Sequence, residues 1–335
     1  MEKDIIKQSV GIDIAKDDFK VCFSVMNQKM QIKVRGSRTF ANNFKGFKEF
    51  LEWLNRKRET SDNLYFTMEA TGVYYENLAY FLWQKENFII RIILPNKVKN
   101  YAKSLNFKSK TDKIDAEILA RFGLERELKI WQPISPNLLE LKQLTRERDI
   151  IVRNRTASSN RLHAAEHQSK PNKKVILRTK TQISLFDEQI KEIEKEIKLL
   201  VNQDDKLKQK FEYLKSIPGV SLLTFAVIVA ETNGFETFTS IKQLTSYAGL
   251  DVKIAESGKW KGKSRISKQG NSHIRKALYM PSLSRIACDK AAKCFYEDLK
   301  NRKGCSMIAL VAVQRKMLGL MFSLWKNEQM YEVNH

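Results

Sequence analysis

The stretch SVGIDIAKDDFKVCFSV, residues Ser9 to Val25, decides the fold of the N-terminal part of the chain. Its first five residues form a short apolar run that ends in Asp13, and Phe19 to Val25 have the composition of a second strand. A third run of strand composition follows at Met30 to Val34. The stretch therefore predicts a three-stranded antiparallel meander whose first strand delivers an acid at its end.

Beyond the meander, helical and strand patterns alternate along the chain. The predicted elements are a helix at 42–55, a strand at 64–68, a helix at 74–85, a strand at 88–94 that Pro95 ends, and a helix within KTDKIDAEILARF, residues 110–122. Together with the meander, this order predicts a mixed α/β sheet.

Four carboxylates follow from this order as a candidate site. Asp13 and Glu69 end the first and fourth strands, and these ends open into one crevice if the two strands are adjacent and parallel. Asp112 and Asp115 are three residues apart on one helix face, where an ordinary solvated surface is the alternative interpretation. If that helix crosses the crevice, no obvious basic residue neutralises all four acids, so a hard divalent cation is expected.

Such a cluster predicts phosphoryl transfer on nucleic acid. Two Mg²⁺ ions about 4 Å apart can activate the attacking oxygen of a phosphodiester reaction and stabilise the leaving oxygen. The charge of the chain agrees with this substrate, because 60 Lys and Arg against 38 Asp and Glu give a net charge of +22 in 335 residues. Polyanions are the expected partners, with a generally basic solubilising surface as the alternative.

A membrane partner is not expected. The sequence shows no evident signal peptide, lipidation motif or basic amphipathic anchor, and the apolar run Met307 to Leu324 is interrupted by Gln314, Arg315 and Lys316. That run is predicted to be a buried helix. The expected location is the bacterial cytoplasm, at the nucleoid when the protein is bound to DNA.

Metal binding by cysteine or histidine is not expected either. Four cysteines lack CxxC pairing and are predicted to be reduced and mostly buried; they are Cys22, Cys288, Cys294 and Cys305. His163 and His167 are four apart on a predicted helix, but no ligand cluster surrounds them. They are interpreted as polar surface residues.

A helical connector is predicted between the two ends of the chain. Its first arm, 137–168, is polar and rich in basic residues, and Pro171 ends it. Its second arm, 175–214, has an apolar heptad seam in which Asp204 occupies one position, and the coil is expected to loosen there. We expect self-association through this seam, and the alternative is an antiparallel hairpin within one subunit.

The third region begins with SIPGVSLLTFAVIVAE, residues 216–231. This stretch resembles a helix-hairpin-helix element, which could bind phosphate through its backbone amides. The alternative is a tight turn between two helices, because such a turn needs the same residues. A capped helix at 238–250 that ends at Gly249 is expected to serve packing, and helices at 280–299 and 305–326 are predicted to complete the core.

A second stretch with candidate catalytic residues is ESGKWKGKSRISKQGNSHIRKALY, residues 256–279. Glycines allow close approach of a ligand, and a dense set of cations surrounds Ser257, Ser264 and Ser267. A serine hydroxyl becomes nucleophilic only when a base or metal activates it. Composition does not choose among the three serines, and a basic loop that merely holds DNA backbone is the alternative. Contacts to phosphate are predicted, on charge and position, for Lys259, Arg265, Lys268 and Arg275.

The segments VGIDIAKDDFKV, EATGVYYENLA and KTDKIDAEILA resemble the three acidic motifs of DEDD transposases, the bridge-RNA-guided recombinases of the insertion sequence 110 family, to which Piv-type DNA invertases are related. The resemblance implies an N-terminal RuvC-like (RNase H-type) domain in which Asp13, Glu69, Asp112 and Asp115 bind Mg²⁺. It also implies a mainly α-helical C-terminal transposase domain. In that domain of the family a Ser-Gly pair precedes a basic Ser-Lys-x-Gly-Asn segment, and here these are Ser257-Gly258 and residues 267–271.

From this resemblance Ser257 is expected to be the nucleophile of a covalent phosphoserine intermediate. The implied partners are donor and target DNA, a structured bridge RNA, and further copies of the chain as a dimer or tetramer. The expected domains are 1–130 (catalytic), 131–214 (coiled-coil connector and oligomerisation) and 215–335 (serine-bearing). Two alternatives stay open, a RuvC-type Holliday-junction nuclease that needs no serine and a catalytically inactive nucleic-acid-binding scaffold.

Overall fold

The computed structural model of the chain describes residues 5–58, 63–105, 111–253, 256–257, 260–262 and 265–332. It separates into two compact units, Met1–Pro133 and Ile134–His335. The mixed α/β sheet predicted for the N-terminal part and the helical C-terminal part are both confirmed.

The first unit contains five described strands and four described helices. They are β1 (Ile5–Ile14), β2 (Asp18–Asn27), β3 (Ile32–Ala41), α1 (Phe44–Lys57), β4 (Leu64–Glu69), α2 (Glu76–Trp83), β5 (Phe88–Ile93), α3 (Pro95–Ser104) and α4 (Asp112–Glu125). The sequence prediction missed α3. Pro95 does end the strand, but it also occupies the first turn of a new helix, where its fixed φ and missing N–H cost little.

The five strands lie in the order β3-β2-β1-β4-β5. β1 pairs antiparallel with β2, and β2 pairs antiparallel with β3, so the predicted meander is confirmed. β1 and β4 are parallel neighbours, as are β4 and β5. The adjacency of the first and fourth strands, on which the predicted crevice depends, is therefore confirmed.

Side chains of β1 alternate between the two faces of the sheet. Val10, Ile12 and Ile14 are buried in a core shared with α1 and α2, whereas α4 packs on the opposite face. Gly11 allows this packing, because a Cβ there would lie 2.0 Å from the carbonyl oxygen of Ala116. The backbone of α4 thus rests directly on β1.

The direction of α4 follows from a second glycine. A Cβ on Gly123 would lie 2.4 Å from the hydroxyl of Ser9, while Ala116 lies over Gly11 further along β1. The helix therefore runs antiparallel to β1, and its N-terminal turn lies toward the strand's carboxyl end. This arrangement brings the first residues of α4 to the crevice.

The second unit is mainly helical. It contains α5 (Pro136–Glu166), α6 (Lys173–Gln203), α7 (Asp205–Lys215), α8 (Leu222–Thr232), α9 (Ile241–Tyr247), β6 (Val252–Lys253), β7 (Glu256–Ser257), β8 (Trp260–Lys261), β9 (Arg265–Ile266), α10 (Ser272–Cys288), α11 (Lys290–Lys303) and α12 (Ser306–Asn327). The predicted connector and the predicted C-terminal domain share one hydrophobic core in this unit.

Two predicted helices are each divided by an aspartate. The carboxylate of Asp204 accepts hydrogen bonds from the backbone N–H groups of Lys206 and Leu207, so it caps α7 and separates it from α6. Asp289 caps α11 in the same way, so the single helix predicted at 280–299 is wrong. In both places an Asp side chain that satisfies free amides competes with continuation of the helix.

Helices α5 and α6 pack along each other within one chain. Ion pairs join Arg148 to Glu194 and Arg155 to Asp187. The later residue on α5 thus pairs with the earlier residue on α6, so the two helices are antiparallel. Ile193 and Ile197 of the predicted seam are buried in the core of this unit. The intramolecular hairpin is therefore the arrangement observed, and self-association through the seam stays a prediction.

Helix α12 is, among the described residues, the one helix long and apolar enough to cross a membrane by composition, and 56% of its most apolar window is buried inside the protein. A buried core helix of a globular protein can have the same length and apolar composition.

The four cysteines are unpaired. Cys22 is buried on β2, but Cys288, Cys294 and Cys305 are exposed, so the prediction of mostly buried thiols is wrong. Two of the exposed ones lie at a helix end, where packing is incomplete.

Candidate functional site

Asp13 and Glu69 lie near the carboxyl ends of β1 and β4. Gly11 pairs with Thr67 in the parallel register, so two residues further on each strand Asp13 and Glu69 fall on the face that α4 covers. The carboxylate of Glu69 accepts a hydrogen bond of 3.0 Å from the hydroxyl of Thr71.

Asp112 and Asp115 occupy the first turn of α4. Thr111 caps this helix, and its hydroxyl accepts a hydrogen bond of 3.3 Å from the backbone N–H of Ile114. Free backbone N–H groups at a helix N-terminus favour acidic side chains. The Asp112 side chain is 65% exposed and thus open to an incoming ligand.

The four acids share one electrostatic site. The pKa of Asp13 is raised to about 6, first by burial and then by the negative charges of Asp115, Asp112 and Glu69. Charges that shift a pKa in this way must lie close to the carboxyl group. The structure therefore places the four acids that the sequence singled out within electrostatic reach of one another.

Sequence reasoning missed Lys20. It pairs with Asp13 in the register of β1 and β2, and its ammonium group donates a hydrogen bond of 2.6 Å to Oδ2 of Asp112. This cation lowers the pKa of Asp13 and so offsets part of the repulsion among the acids. The hairpin register contained the signal, because opposed residues of antiparallel strands point to the same face.

The four acids form a donor set whose chemistry suits a hard divalent cation. All four side chains offer carboxylate oxygens, the donors that such ions prefer, and their mutual repulsion is what a cation would relieve. In the described parts of the chain, however, no three His, Cys, Asp or Glu side chains are grouped closely enough to hold a metal ion. The chemistry fits the ion, but the acids would have to draw together and Asp112 would have to exchange Lys20 for the metal.

Ser257 lies in the second unit on a β-hairpin. β6 pairs with β9 at its base, and β7 pairs with β8 further out, with Ser257 opposite Trp260. Ser257 is exposed. In contrast, the hydroxyl of Ser267 donates to the carboxylate of Asp251 at 2.5 Å, and Ser264 falls outside the described residues.

The cations predicted to contact phosphate have different surroundings. Arg265 and Lys268 are exposed beside the hairpin, and Lys268 has a positive φ of 51°. Arg275 instead donates to the carbonyl oxygens of Ala248 at 2.8 Å and Gly270 at 3.2 Å, so its guanidinium supports the hairpin base. Lys259 lies outside the described residues.

The histidine pair and the turn that resembles a helix-hairpin-helix element both have surroundings that explain them without a ligand. His163 and His167 are exposed, and the ring of His167 hydrogen-bonds the backbone oxygen of His163. At the turn that resembles a helix-hairpin-helix element, Gly219 has a φ of +91°, and a Cβ there would lie 2.4 Å from the carbonyl oxygen of Pro281. This turn packs tightly against α10, which accounts for its glycine without a phosphate.

Comparison with known proteins gives the class. One family model, described as "Transposase", matches residues 10–171, which contain the four acids, and a second, "Transposase IS116/IS110/IS902 family", matches residues 211–297, which contain Ser257. The chain is therefore a transposase-type enzyme that acts on DNA. It belongs to the IS116/IS110/IS902 family of transposases.

Individual relatives agree with this assignment. The pilin gene-inverting protein of Moraxella bovis is 29% identical over 97% of this chain and 98% of its own length. The transposase for insertion sequence element IS1111A of Coxiella burnetii is 24% identical over 72% of each chain. Among solved structures, a Ppx/GppA family member from Aquifex aeolicus aligns over 97% of this chain and 92% of that one at 10% identity, with a TM-score of 0.22 that is too low to assign a shared fold.

Proposed function

We propose that the protein cuts and rejoins DNA strands with a Mg²⁺-dependent, RuvC-like acidic site and a serine nucleophile. The observation that carries this proposal is that four acids lie on one face of the sheet, Asp13 and Glu69 from two strands and Asp112 and Asp115 from the first turn of α4. Their placement at the carboxyl ends of two parallel strands, beneath the N-terminus of α4, supports the RuvC-like assignment.

In the acidic site the role of the chain's own residues is to present four carboxylates in fixed positions, where they would hold the metal ions. Asp13 and Glu69 are fixed by β1 and β4, while Asp112 and Asp115 are fixed by the first turn of α4. Bound Mg²⁺ would supply charge stabilisation to the attacking and leaving oxygens of the phosphodiester. Lys20 would be released from Asp112 and become available to a DNA phosphate.

Ser257 is proposed as the nucleophile. Its Oγ attacks the scissile phosphorus and loses its proton, and the bond from phosphorus to the leaving deoxyribose oxygen breaks, which gives a phosphoserine and a free DNA hydroxyl. A hydroxyl from a second strand then attacks the phosphoserine and releases Ser257. Each step exchanges one phosphodiester for another, so bond energy is conserved and no nucleotide cofactor is needed.

The partners follow from the resemblance and from charge. We propose donor and target DNA, a structured bridge RNA, and a dimer or tetramer in which the acids of one subunit serve the serine of another. The net charge of +22 suits both nucleic acids. Because a gene-inverting protein is among the relatives, DNA inversion is proposed beside insertion as an outcome. Arg265 and Lys268 are the described cations proposed to contact phosphate.

The test is a denaturing gel of the protein, purified with any RNA it carries, after incubation with radiolabelled fragments of the DNA that flanks its gene. A covalent protein–DNA adduct is expected with the unaltered protein and is expected to disappear in Ser257→Ala. Ser272→Ala, which removes another exposed serine at the start of α10, is the matched control and should retain the adduct.

The two alternatives give different results. Hydrolysis that survives Ser257→Ala would indicate a RuvC-type nuclease without a covalent intermediate. DNA that is bound but neither cut nor joined, with or without Mg²⁺ and equally in Asp112→Ala, would indicate a catalytically inactive binding scaffold.

A further inference from the structure

Glu231 is a buried carboxylate in the second unit that the proposed chemistry does not use. Its side chain is only 1% exposed, at the C-terminal end of α8. Burying a carboxylate is costly unless charge and hydrogen bonds compensate it, so the identity of its partners matters.

Arg146 on α5 is the first partner. Its Nε and Nη2 donate to Oε1 and Oε2 of Glu231 at 2.7 and 3.0 Å, a bidentate pair that fixes the orientation of the carboxylate. Burial alone would raise the pKa of Glu231, but the bonds from Arg146 and Asn271 hold it below the usual range. The bidentate pair with Arg146 therefore compensates the buried charge of Glu231 in the interior of the unit.

The second set of partners belongs to the base of the serine hairpin. The amide nitrogen of Asn271 donates to Oε2 of Glu231 at 2.7 Å, and the hydroxyl of Tyr247 donates to the backbone oxygen of Glu231 at 3.1 Å. Tyr247 precedes the hairpin and Asn271 follows it. Both ends of the hairpin are thus attached to one residue.

The two ends are also attached to each other. The backbone N–H of Asn271 donates to the oxygen of Tyr247 at 2.8 Å, and that of Lys268 donates to the oxygen of Gly249 at 3.1 Å. A Cβ on Gly270 would lie 2.3 Å from the oxygen of Tyr247, so the two backbones touch. The two ends of the hairpin are therefore held together as one unit. Glu231 attaches this unit to the helical core through polar contacts, beside the apolar burial of Ala248 and Leu250.

We propose that Glu231 is a positioning residue, which through Arg146 and Asn271 fixes the hairpin so that Ser257 meets the scissile phosphate. Reaction rates depend steeply on such placement, since an error of about 1 Å can cost about 100-fold. The inference rests on the proposed role of Ser257.

The test compares Glu231→Gln with a control of equal burial. Asp289 is a carboxylate with 2% side-chain exposure that pairs with Arg285 and Tyr331 in the same unit, away from the hairpin. Asp289→Asn removes a buried charge while it keeps a good helix cap. In Glu231→Gln the rate of Ser257–DNA adduct formation is expected to fall about 10- to 100-fold, with DNA affinity unchanged. Asp289→Asn is expected to change neither.

Backbone amide exchange of the full chain is the second measurement. The N–H groups of Ser267, Lys268 and Asn271 bond across the hairpin base, and they should exchange faster in Glu231→Gln and not in Asp289→Asn. If Glu231→Gln does not fold, Tyr247→Phe serves instead, because it removes only the hydroxyl that bonds Glu231.

The outcomes separate the two claims. Equal adduct rates in Glu231→Gln and Asp289→Asn, or a loss of DNA affinity that fully accounts for the slower rate, would overturn the positioning role alone. An adduct that persists in Ser257→Ala would instead overturn the proposed function.

Discussion

The ammonium group of Lys20 lies 2.6 Å from Oδ2 of Asp112, between a strand and a helix that are 92 residues apart in sequence. Lys20 thereby occupies a carboxylate oxygen that a divalent cation would need. Asp13 also senses this cation, which lowers its pKa against the effect of the other acids. The site is thus held together by an internal counter-ion.

Replacing Lys20 by alanine is expected to strengthen divalent metal binding. The metal would no longer compete with an ammonium group for Asp112, so we expect the Kd for Mg²⁺ or Mn²⁺ to fall about two- to five-fold. Isothermal titration of the metal alone measures this. Lys16→Ala, which removes an exposed charge from the adjoining turn, is the control, and an equal effect there would show that only net charge matters.

Replacing Asp13 by asparagine is expected to stabilise the metal-free protein at pH 7.5. Because the folded pKa of Asp13 is about 6 against a usual value of 3.8, the folded state binds the proton more tightly, and stability falls as pH rises between these values. Asparagine removes this penalty, and we expect a gain of about 1 kcal/mol after allowance for water that still reaches the carboxylate.

Urea unfolding in the presence of a chelator measures this gain. At pH 4 the gain should shrink, since Asp13 is then protonated in the folded protein. The control Asp17→Asn alters an exposed acid of the next turn. A gain for Asp13→Asn that is the same at both pH values would contradict the electrostatic explanation.

Replacing Gly11 by alanine is expected to displace α4 from the sheet. The new Cβ would lie 2.0 Å from the oxygen of Ala116 and 2.1 Å from the nitrogen of Ala120, and both are backbone atoms that cannot turn away. We expect a loss of about 3 kcal/mol or more in the free energy of unfolding, together with weaker metal binding. Gly36→Ala on β3 meets only side chains, Trp53 at 3.0 Å and Lys57 at 3.8 Å, and should cost far less because these can move. Equal losses in thermal unfolding would argue against close helix packing.

Replacing Asp204 by alanine is expected to loosen the junction of α6 and α7. The carboxylate caps two backbone amides at 3.0 Å and accepts a hydrogen bond of 2.8 Å from the side chain of Asn137 on α5. Loss of such a cap costs about 1–2 kcal/mol. Urea unfolding of Asp204→Ala beside Asp205→Ala, an exposed neighbour inside α7, measures the difference, and similar values for both would exclude a capping role.

Much of the first unit was predictable because its patterns are local. The strand runs and helix α1 follow from residue alternation and helix spacing, and the predicted crevice required one further condition, the parallel adjacency of β1 and β4, which the sheet fulfils. Helix α3 was missed because Pro95 ends one element and begins another within a single residue. The division at Asp289 was missed because a capping aspartate competes with an otherwise continuous helical pattern, whereas the polar position of Asp204 in the heptad seam indicated the break there.

The candidate site was predictable in its acids and not in its cation. Each acid lies at the end of a strand or in the first turn of a helix, and these positions can be predicted locally. Lys20 is identified as part of the site only by the strand register that places it opposite Asp13. The buried anion Glu231 was hidden for a similar reason. In sequence it is one polar residue near the end of an apolar helix, and its partners Arg146 and Asn271 are 85 and 40 residues away.

The sequence by itself determined the antiparallel meander, the order of helices and strands along the chain, the four acids, the basic charge and the family motifs, because these depend on residue type and local spacing. Only the tertiary structure decided that α4 runs antiparallel to β1, that Lys20 neutralises Asp112, and that the connector helices pack against each other within one chain. Those outcomes depend on close backbone approach and on charge pairs between distant segments, and such contacts exist only after the chain has folded.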